Sequence, residues 1–300
     1  MTRVAVLADI HGNIPALDAV VADVALQEVD EVLVGGDLVG RGPQGSHVIR
    51  RVRQLGWPSV RGNHEDYLLT FRRGEVPPGW LEADEWSASR WMAEELVDDD
   101  VPYMESLPFS IRSQTLPRLY LVHASPRSNN DGIGPWTSPR RMQRHLAAIE
   151  ASVLVCAHTH RSLHQRFPEG HVVNVGSVGL PFNKDRRAQY AIFQDVDGET
   201  EIEFRCVEYD LQLTRQIYET SGFLTSGGVT ARLLMLELEN AQPFLVPFLQ
   251  WASTLGILPV AEQIDSFRDF YDPDEPIRTY LCRLSELSGR DNIEWGFNGG

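Results

Sequence analysis

The stretch VAVLADIH, residues 4–11, decides the fold of this chain because it joins a buried strand to two polar side chains. Residues 4–8 are apolar at every position, which is typical of a strand covered on both faces of an α/β sheet. Asp9 and His11 follow directly. Asn13 then predicts a helix N-cap, and the apolar positions after it recur at helical spacing. This strand–loop–helix unit predicts a layered α/β fold with polar groups at a strand end.

The same arrangement, an apolar run followed by polar side chains, recurs four more times along the chain. The runs are residues 32–34, 59–60, 119–122 and 153–156, and the polar groups after them are Asp37, then Asn63 and His64, then His123, then His158 and His160. Ligands of open α/β sheets gather outside the carboxyl ends of the strands. We therefore expect these side chains to meet at one edge.

The chemistry of this set indicates a metal centre. Carboxylate, amide and imidazole ligands suit Mn, Fe, Co, Ni or Zn better than Mg or Ca. The candidates exceed what one tetrahedral ion needs and fit two ions about 3.5–4 Å apart, bridged by one carboxylate. Two divalent ions against two carboxylates leave positive charge that attracts a phosphate group. The candidate ligands are Asp9, His11, Asp37, Asn63, His123, His158 and His160.

These residues resemble the motifs of the calcineurin-like metallophosphoesterase superfamily. The matching segments are Asp9-Ile10-His11, Gly36-Asp37, Gly62-Asn63-His64-Glu65, Val122-His123 and His158-Thr159-His160, with NVGSVG at 174–179. The resemblance covers about residues 1–215 and is greatest to the bacterial phosphodiesterase-like branch, whose fourth motif is similar to HASPR at 123–127. It implies a four-layer α/β/β/α sandwich of two mixed sheets.

The resemblance also implies how the ligands are shared between two divalent metal ions. One ion would be held by Asp9, His11, Asp37 and His160, and the other by Asp37, Asn63, His123 and His158. The favoured metals are Mn and Fe, with Zn, Ni and Co as alternatives. The implied mechanism is in-line attack by a metal-bound hydroxide, without a covalent phospho-enzyme.

Three further residues are predicted to act on the substrate. His64, with an unperturbed pKa near 6.5, is the candidate that protonates the leaving oxygen or donates a hydrogen bond to the transition state. Arg41 matches the phosphate-binding arginine of the serine/threonine-phosphatase-like branch, and Arg127 is a second phosphate-binding candidate. Gly40 stands where that branch carries an aspartate that pairs with its catalytic histidine. This predicts that His64 lacks its usual orienting partner.

The predicted function is therefore hydrolysis of small phosphodiesters or nucleotide-like phosphates. The enzymatic alternative is a phosphomonoesterase, protein phosphatase or dinucleoside-polyphosphate hydrolase of the serine/threonine-phosphatase-like branch. The non-enzymatic alternative is a scaffold with a vestigial metal site, but every matching ligand position carries a competent residue.

Two parts of the chain depart from the alternation of strands and helices. Residues 74–106 contain ten acidic residues, Arg90 as the one basic residue, and Trp80, Trp86 and Trp91. This acidic helical insertion is interpreted either as a layer packed on the parent domain or as a lid over the site.

The C-terminal part forms the second departure. Residues 1–228 are predicted to form the metallophosphoesterase domain, and residues 229–300 a helical C-terminal extension. The extension is interpreted either as a cap on its own domain or as an interface for a homo-oligomer.

Composition limits the partners of this protein. The chain has 300 residues, a hydrophobic fraction of 42% and a formal net charge of −15. This charge argues against extended nucleic-acid binding and against an anionic membrane surface, and leaves a small phosphate ester as the expected partner. The N-terminal apolar run is too short for a signal peptide or a membrane span, so a cytoplasmic location is expected. Cys156, Cys206 and Cys282 are expected to be reduced thiols.

Overall fold

The computed structural model describes residues 2–289, and its strands form two mixed sheets. The four-stranded sheet has the order β2-β1-β8-β9, from β1 (Arg3–Leu7), β2 (Glu31–Val34), β8 (Ala188–Val196) and β9 (Glu199–Val207). The five-stranded sheet has the order β3-β4-β5-β7-β6, from β3 (Ser110–Arg112), β4 (Leu119–Val122), β5 (Val153–Cys156), β6 (Leu163–Phe167) and β7 (Gly170–Asn174).

The pairing of these strands brings several carboxyl ends to the same edge. In the first sheet β1 is parallel to β2 and antiparallel to β8. In the second sheet β4, β5 and β7 are parallel, while β3 and β6 are antiparallel edge strands. The segment 59–60, which the sequence predicts as an apolar run beside these strands, pairs with β2 only as a single bridge between Ser59 and Val34.

The two sheets pack face to face and carry helices on their outer faces. Successive residues of β1 point to opposite sides, as in any strand. Val4 and Val6 are buried in the same cluster as Leu121 and Val155 of the second sheet. Leu7 is instead buried with the helices that cover the first sheet. The predicted four-layer α/β/β/α architecture is confirmed.

Two of the helices begin at residues whose side chains cap them. Asn13 Oδ1 accepts a hydrogen bond from the Ala16 N–H at 3.2 Å, and Asp210 Oδ1 accepts one from the Leu213 N–H at 2.8 Å at the start of the helix that begins at Leu211. The helices are α1 (Ile14–Val24), α2 (Gly45–Leu55), α3 (Asn63–Arg73), α4 (Ser87–Glu95), α5 (Asp100–Ser106), α6 (Pro139–Ala147), α7 (Leu211–Thr220), α8 (Phe223–Ser226), α9 (Gly228–Asn240), α10 (Leu245–Leu255), α11 (Ile264–Phe270) and α12 (Ile277–Ser288), with 3₁₀ turns at Asp84–Trp86 and Ala261–Gln263.

The acidic insertion, residues 74–106, is helical and is packed into the domain. It holds α4 and α5, and Met92 and Met104 are buried in the same core as α1 and α2. The Trp80 and Trp86 rings stack with centroids 3.7 Å apart, and Trp91 lies against Phe223. This packing agrees with the interpretation as a layer on the parent domain.

The C-terminal helices form a second apolar cluster that shares α9 with the main core. Ala231 and Leu234 of α9 are buried with the helices and strands of the first sheet. Leu233 of the same helix is buried with Phe248 and Tyr280 in the C-terminal cluster. The boundary at residues 228/229 remains a prediction, and residues 290–300 of the predicted extension lie outside the described residues.

We expect Glu95 to make stability depend on pH, because it is largely buried where α4 meets the start of α2. Its carboxylate accepts a hydrogen bond from Ser46 N at 3.2 Å, and its side chain is 18% exposed. Burial raises the pKa of Glu95 from 4.5 to about 7, and the nearby Asp100 carboxylate adds to the shift. The folded protein therefore binds more protons than the unfolded chain across this interval.

The free energy of unfolding should consequently fall as the pH rises from 4.5 to 7. The part due to Glu95 should be about 2 kcal/mol. Denaturant unfolding at several pH values should show this loss reduced in Glu95→Gln relative to the unsubstituted protein. Identical pH slopes in the two proteins would contradict the assignment to Glu95.

Candidate metal centre

Backbone hydrogen bonds draw together the loops that follow four strands. Asp9 N donates to Gly36 O at 3.1 Å, which ties the loop after β1 to the loop after β2. Ala157 N donates to His123 O at 2.8 Å, which ties the loop after β5 to the end of β4. Because the two sheets are packed face to face, these two pairs of loops meet at one edge of the sandwich.

Most of the predicted ligands sit on strained backbone at these strand ends. A non-glycine residue with positive φ is uncommon, and such residues concentrate at functional sites. Here the bend turns each side chain out of the strand direction. The φ values are 53° at Asp9, 51° at His11, 53° at Asp37, 67° at His158 and 56° at His160.

The first group of predicted ligands is Asp9, His11 and His160. Their ligand atoms lie within 4.8 Å of one another, and the two imidazole Nε2 atoms are 3.0 Å apart. His11 Nδ1 donates to Val39 O at 3.1 Å, and His160 Nδ1 donates to Leu180 O at 2.6 Å. These bonds fix the tautomer, so each Nε2 presents its lone pair to the centre of the group.

The second group is Asp37, His123 and His158, again with ligand atoms within 4.8 Å. The Asn63 side-chain oxygen lies 2.8 Å from His123 Nε2 and 2.9 Å from His158 Nδ1, which adds the fourth predicted ligand. Asp37 Oδ2 is 3.4 Å from His123 Nε2 and 3.7 Å from His11 Nε2. Asp37 thus lies between the two groups, where the sequence places the bridging carboxylate.

The donor set fits divalent cations. All seven predicted ligands are brought together, six of them buried and His158 half-buried. Asp9 Oδ1 is buried and accepts no hydrogen bond from residues 2–289. A buried carboxylate oxygen without a donor is costly, and a cation at this position would satisfy it.

The electrostatics of the cluster favour a positive charge at the position between the two carboxylates. They also keep the surrounding imidazole rings neutral. Burial lowers the pKa of His11 to about 4 and that of His158 to about 3, so both rings are neutral at pH 7, the form that binds metal. Burial would also lower the pKa of His123, but the Asp37 and Asp9 carboxylates outweigh it and raise that pKa to about 10. The position between the two carboxylates therefore stabilises a cation.

Glu65 is a residue of the third motif for which the motif pattern predicts no role. Its buried carboxylate accepts hydrogen bonds from Gly62 N at 2.7 Å, Asp37 N at 3.0 Å and Leu38 N at 2.7 Å. It therefore joins the loop that presents Asp37 to the start of the helix that presents Asn63. The available signal was its spacing, three residues after the N-cap Gly62, where a glutamate bonds back to the cap.

His64 is half-buried beside the first group, with its ring centroid 5.0 Å from that of His11. The expectation of an unperturbed pKa is wrong, because burial lowers the pKa of His64 well below its usual range. The ring is therefore neutral at pH 7. A neutral imidazole carries one N–H, so its available action is to donate a hydrogen bond.

His64 has an orienting partner, although the usual aspartate is absent from position 40. Arg41 Nε donates to His64 Nε2 at 3.2 Å. An aspartate could not occupy position 40, because a Cβ on Gly40 would lie 2.3 Å from His64 Nδ1 and Gly40 has φ +79°. The neighbouring arginine therefore orients the ring from its other nitrogen.

The two predicted phosphate-binding arginines differ in their surroundings. Arg41 is buried. Its Nε donates a hydrogen bond to the His64 ring, and its Nη1 donates one to Glu237 Oε2 at 3.1 Å. Burial is the main cause that lowers the pKa values of His11, His158 and His160, and the positive charge of Arg41 lowers them further. Arg127 is exposed in the loop after His123 and forms no ion pair within residues 2–289.

Within residues 2–289, no helix is long and apolar enough to cross a membrane.

Comparisons with known proteins agree with this geometry. A metallophosphoesterase from Sphaerobacter thermophilus aligns with a TM-score of 0.64 at 27% identity, over 80% of this chain and 99% of that one. A hypothetical protein from Pyrococcus horikoshii OT3 has the same fold, with a TM-score of 0.65 at 24% identity over 78% and 98% of the two chains.

Two sequence relatives extend the comparison. An uncharacterized protein of Methanocaldococcus jannaschii is 24% identical over 225 residues, which are 70% of this chain and 89% of the relative. A symmetrical bis(5'-nucleosyl)-tetraphosphatase of Serratia proteamaculans is 42% identical, but only over 72 residues, 23% of this chain and 25% of that enzyme.

Residues 2–162, more than half of the chain, match the calcineurin-like phosphoesterase family. The resemblance predicted from the motifs is thereby confirmed, and this chain belongs to the calcineurin-like phosphoesterase family.

Proposed function

We propose that this protein hydrolyses small phosphodiesters or nucleotide-like phosphates with the help of two divalent metal ions. The observation that carries the proposal is the convergence of seven candidate ligand side chains, with Asp37 at their centre, together with a buried oxygen of Asp9 that accepts no hydrogen bond from residues 2–289. Membership of a phosphoesterase family supports the reaction class.

In this proposal the ligands divide as the motifs imply. Asp9, His11, Asp37 and His160 would hold one ion, and Asp37, Asn63, His123 and His158 would hold the other. We favour Mn or Fe, because the imidazole-rich set suits borderline divalent metals. Bound there, the ions would lower the pKa of water and draw charge from the phosphoryl oxygens.

The remaining chemistry falls to side chains of the protein. Because Arg41 occupies Nε2 of His64, the proton of the neutral ring lies on Nδ1. We assign to this N–H a hydrogen bond to the leaving oxygen or to the transition state. Arg41 Nη2 has no hydrogen-bond partner within residues 2–289 and remains free to bind a phosphoryl oxygen.

An exposed aromatic ring beside the cluster supports a substrate that carries a base. A Cβ on Gly132 would lie 2.9 Å from the His158 ring, so the loop that continues to Trp136 begins at the metal centre. Trp136 is 65% exposed. Arg161 follows His160 directly, and its guanidinium lies 6.0 Å from the Trp136 ring centre. An indole and an arginine in this arrangement suit a nucleobase and a second phosphate.

A second candidate is hydrolysis of a dinucleoside polyphosphate. The local similarity to a symmetrical bis(5'-nucleosyl)-tetraphosphatase, 42% identity over 72 residues, favours it. The buried Arg41 in the motif shared with that branch is consistent with this candidate.

An activity panel should test the proposed function. An aryl phosphodiester, an aryl phosphomonoester, a cyclic nucleotide and a dinucleoside polyphosphate should each be offered with Mn, Fe, Zn, Ni or Co. We expect hydrolysis of diesters in preference to monoesters, and loss of turnover by at least about 100-fold in Asp37→Asn, which lacks the bridging charge.

The matched control is Asp18→Asn, which removes an exposed carboxylate whose one ion-pair partner among residues 2–289 is Arg51, and which should leave turnover unchanged. Elemental analysis should show metal lost from Asp37→Asn alone. Preference for a monoester or a dinucleoside polyphosphate would favour the serine/threonine-phosphatase-like alternative. Absence of hydrolysis with every metal would refute the proposal.

His64→Ala should lower kcat by about 100-fold, because a positioned proton donor contributes a factor of that order. Its metal content should remain that of the unsubstituted protein, since the other ligands are intact. His47→Ala is the control, because His47 is exposed on α2. Equal loss of metal and activity in His64→Ala would instead identify His64 as a ligand.

Trp136→Ala should raise KM for a nucleotide substrate by about 10-fold, since stacking of one base contributes about 1–3 kcal/mol. The same variant should keep its KM for an alkyl phosphodiester, which has no ring to stack. Steady-state kinetics on the two substrates measure the difference. An equal rise in both KM values would argue against a base-stacking role.

A further inference from the structure

The C-terminal helices reach the active site through one buried ion pair. Arg41 Nη1 lies 3.1 Å from Glu237 Oε2, and the two side chains are 8% and 1% exposed. Glu237 belongs to α9, whereas Arg41 follows the second motif, 196 residues earlier in the sequence. The predicted phosphate-binding arginine is thus held by a residue outside all five motifs.

This pair is poorly explained as a source of stability alone. Removing two charges from water costs free energy that their attraction often fails to recover. Yet the chain holds both partners firmly. The other oxygen of Glu237 accepts hydrogen bonds from Phe244 N and Leu245 N, both at 2.8 Å, and Tyr218 donates to Arg41 O at 2.9 Å.

Because Arg41 is held in place by Glu237, it in turn restricts the position of the His64 ring. Its Nε donates to His64 Nε2 at 3.2 Å, while its Nη1 is engaged by Glu237. A guanidinium has donors only, so His64 Nε2 must accept and the ring proton must lie on Nδ1. Arg41 has φ +60°, a strained conformation that requires support from its surroundings.

We infer that Glu237 is a positioning residue for the proposed reaction: through Arg41 it fixes the orientation and the tautomer of His64. The inference rests on the proposed function for its catalytic meaning. In the serine/threonine-phosphatase-like branch, an aspartate at position 40 orients the histidine. Here a side chain at position 40 would clash with the His64 ring, so Glu237 orients that ring through Arg41 instead. The C-terminal extension therefore completes the active site.

Glu237→Gln separates this role from the structural one. The amide oxygen can still accept from Phe244 N and Leu245 N, while its NH₂ group would face Arg41 Nη1, a donor against a donor. We expect kcat to fall by about 10- to 100-fold, as for loss of other supporting partners at metal sites, with metal content unchanged.

The matched control is Glu239→Gln on the same helix, which within the described part of the chain loses only the Arg215 ion pair and should keep its activity. A double-mutant cycle tests the route of the effect. If Glu237 acts through His64, adding Glu237→Gln to His64→Ala should cause no further loss of kcat. Additive losses, an unchanged kcat or a higher kcat in Glu237→Gln would each overturn the inference.

Nitrogen-15 NMR of the histidine rings in the full chain loaded with Zn²⁺ provides a readout that needs no turnover. His64, assigned by its absence in His64→Ala, should carry its proton on Nδ1, and Glu237→Gln should shift the tautomer toward Nε2. An unchanged tautomer in that variant would overturn the inference. An unsubstituted protein that hydrolyses no ester would refute the proposed function but leave this measurement valid.

If Glu237→Gln does not fold, Arg41→Lys serves for the same NMR measurement. A lysine keeps the positive charge but lacks the forked donors that reach Glu237 and His64 together. The His64 tautomer should then be released as well. Retention of the Nδ1 proton in Arg41→Lys would contradict the inference.

Discussion

The buried carboxylate of Asp37 is the interaction on which the rest of the site depends. Its Oδ2 atom lies 3.4 Å from His123 Nε2 and 3.7 Å from His11 Nε2. Its Oδ1 atom accepts a hydrogen bond from the backbone N–H of His64 at 3.0 Å. Burial opposes its charge, but the positive charge of His123 and its hydrogen bond to Asp37 hold the pKa of Asp37 well below the usual range. A carboxylate ionised in so dry a place requires cationic partners on both sides. This requirement explains why the ligands of both groups are arranged around it.

Keeping Asp37 in place requires support from loops of both sheets. The Glu65 carboxylate accepts hydrogen bonds from the backbone N–H groups of Gly62 and Asp37. This single carboxylate therefore sets the distance between the second and third motifs. The bends at the strand ends are strained, with positive φ at most ligand positions. Such strain persists only where surrounding contacts determine the backbone completely. The parallel pairing within each sheet and the packing between the sheets provide those contacts.

Segments that are distant from the motifs in the sequence pack around this centre. The acidic insertion contributes Met92 and Met104 to the main core, and α9 shares its faces between that core and the C-terminal cluster. Through Glu237, α9 also holds Arg41 beside His64. Of the helices outside the motifs, α9 is thus linked to the site by a direct contact, and the insertion helices are linked to the main core. Their removal would expose apolar surface and free a buried arginine.

The sequence alone indicated strands β1, β2, β4 and β5 and the set of candidate ligands, and the resemblance of its motifs to a known family implied the four-layer fold. Apolar runs that end in Asp9, Asp37, His123 and His158 carry this information locally, because a strand end and its polar residue are neighbours in the chain. Their assignment as ligands is still a prediction, although the structure brings them together. Only the tertiary structure decided how His64 is held, since the pair Arg41–Glu237 joins residues 196 positions apart. It also decided that His64 is neutral, because burial depends on packing from every side and no local pattern encodes it.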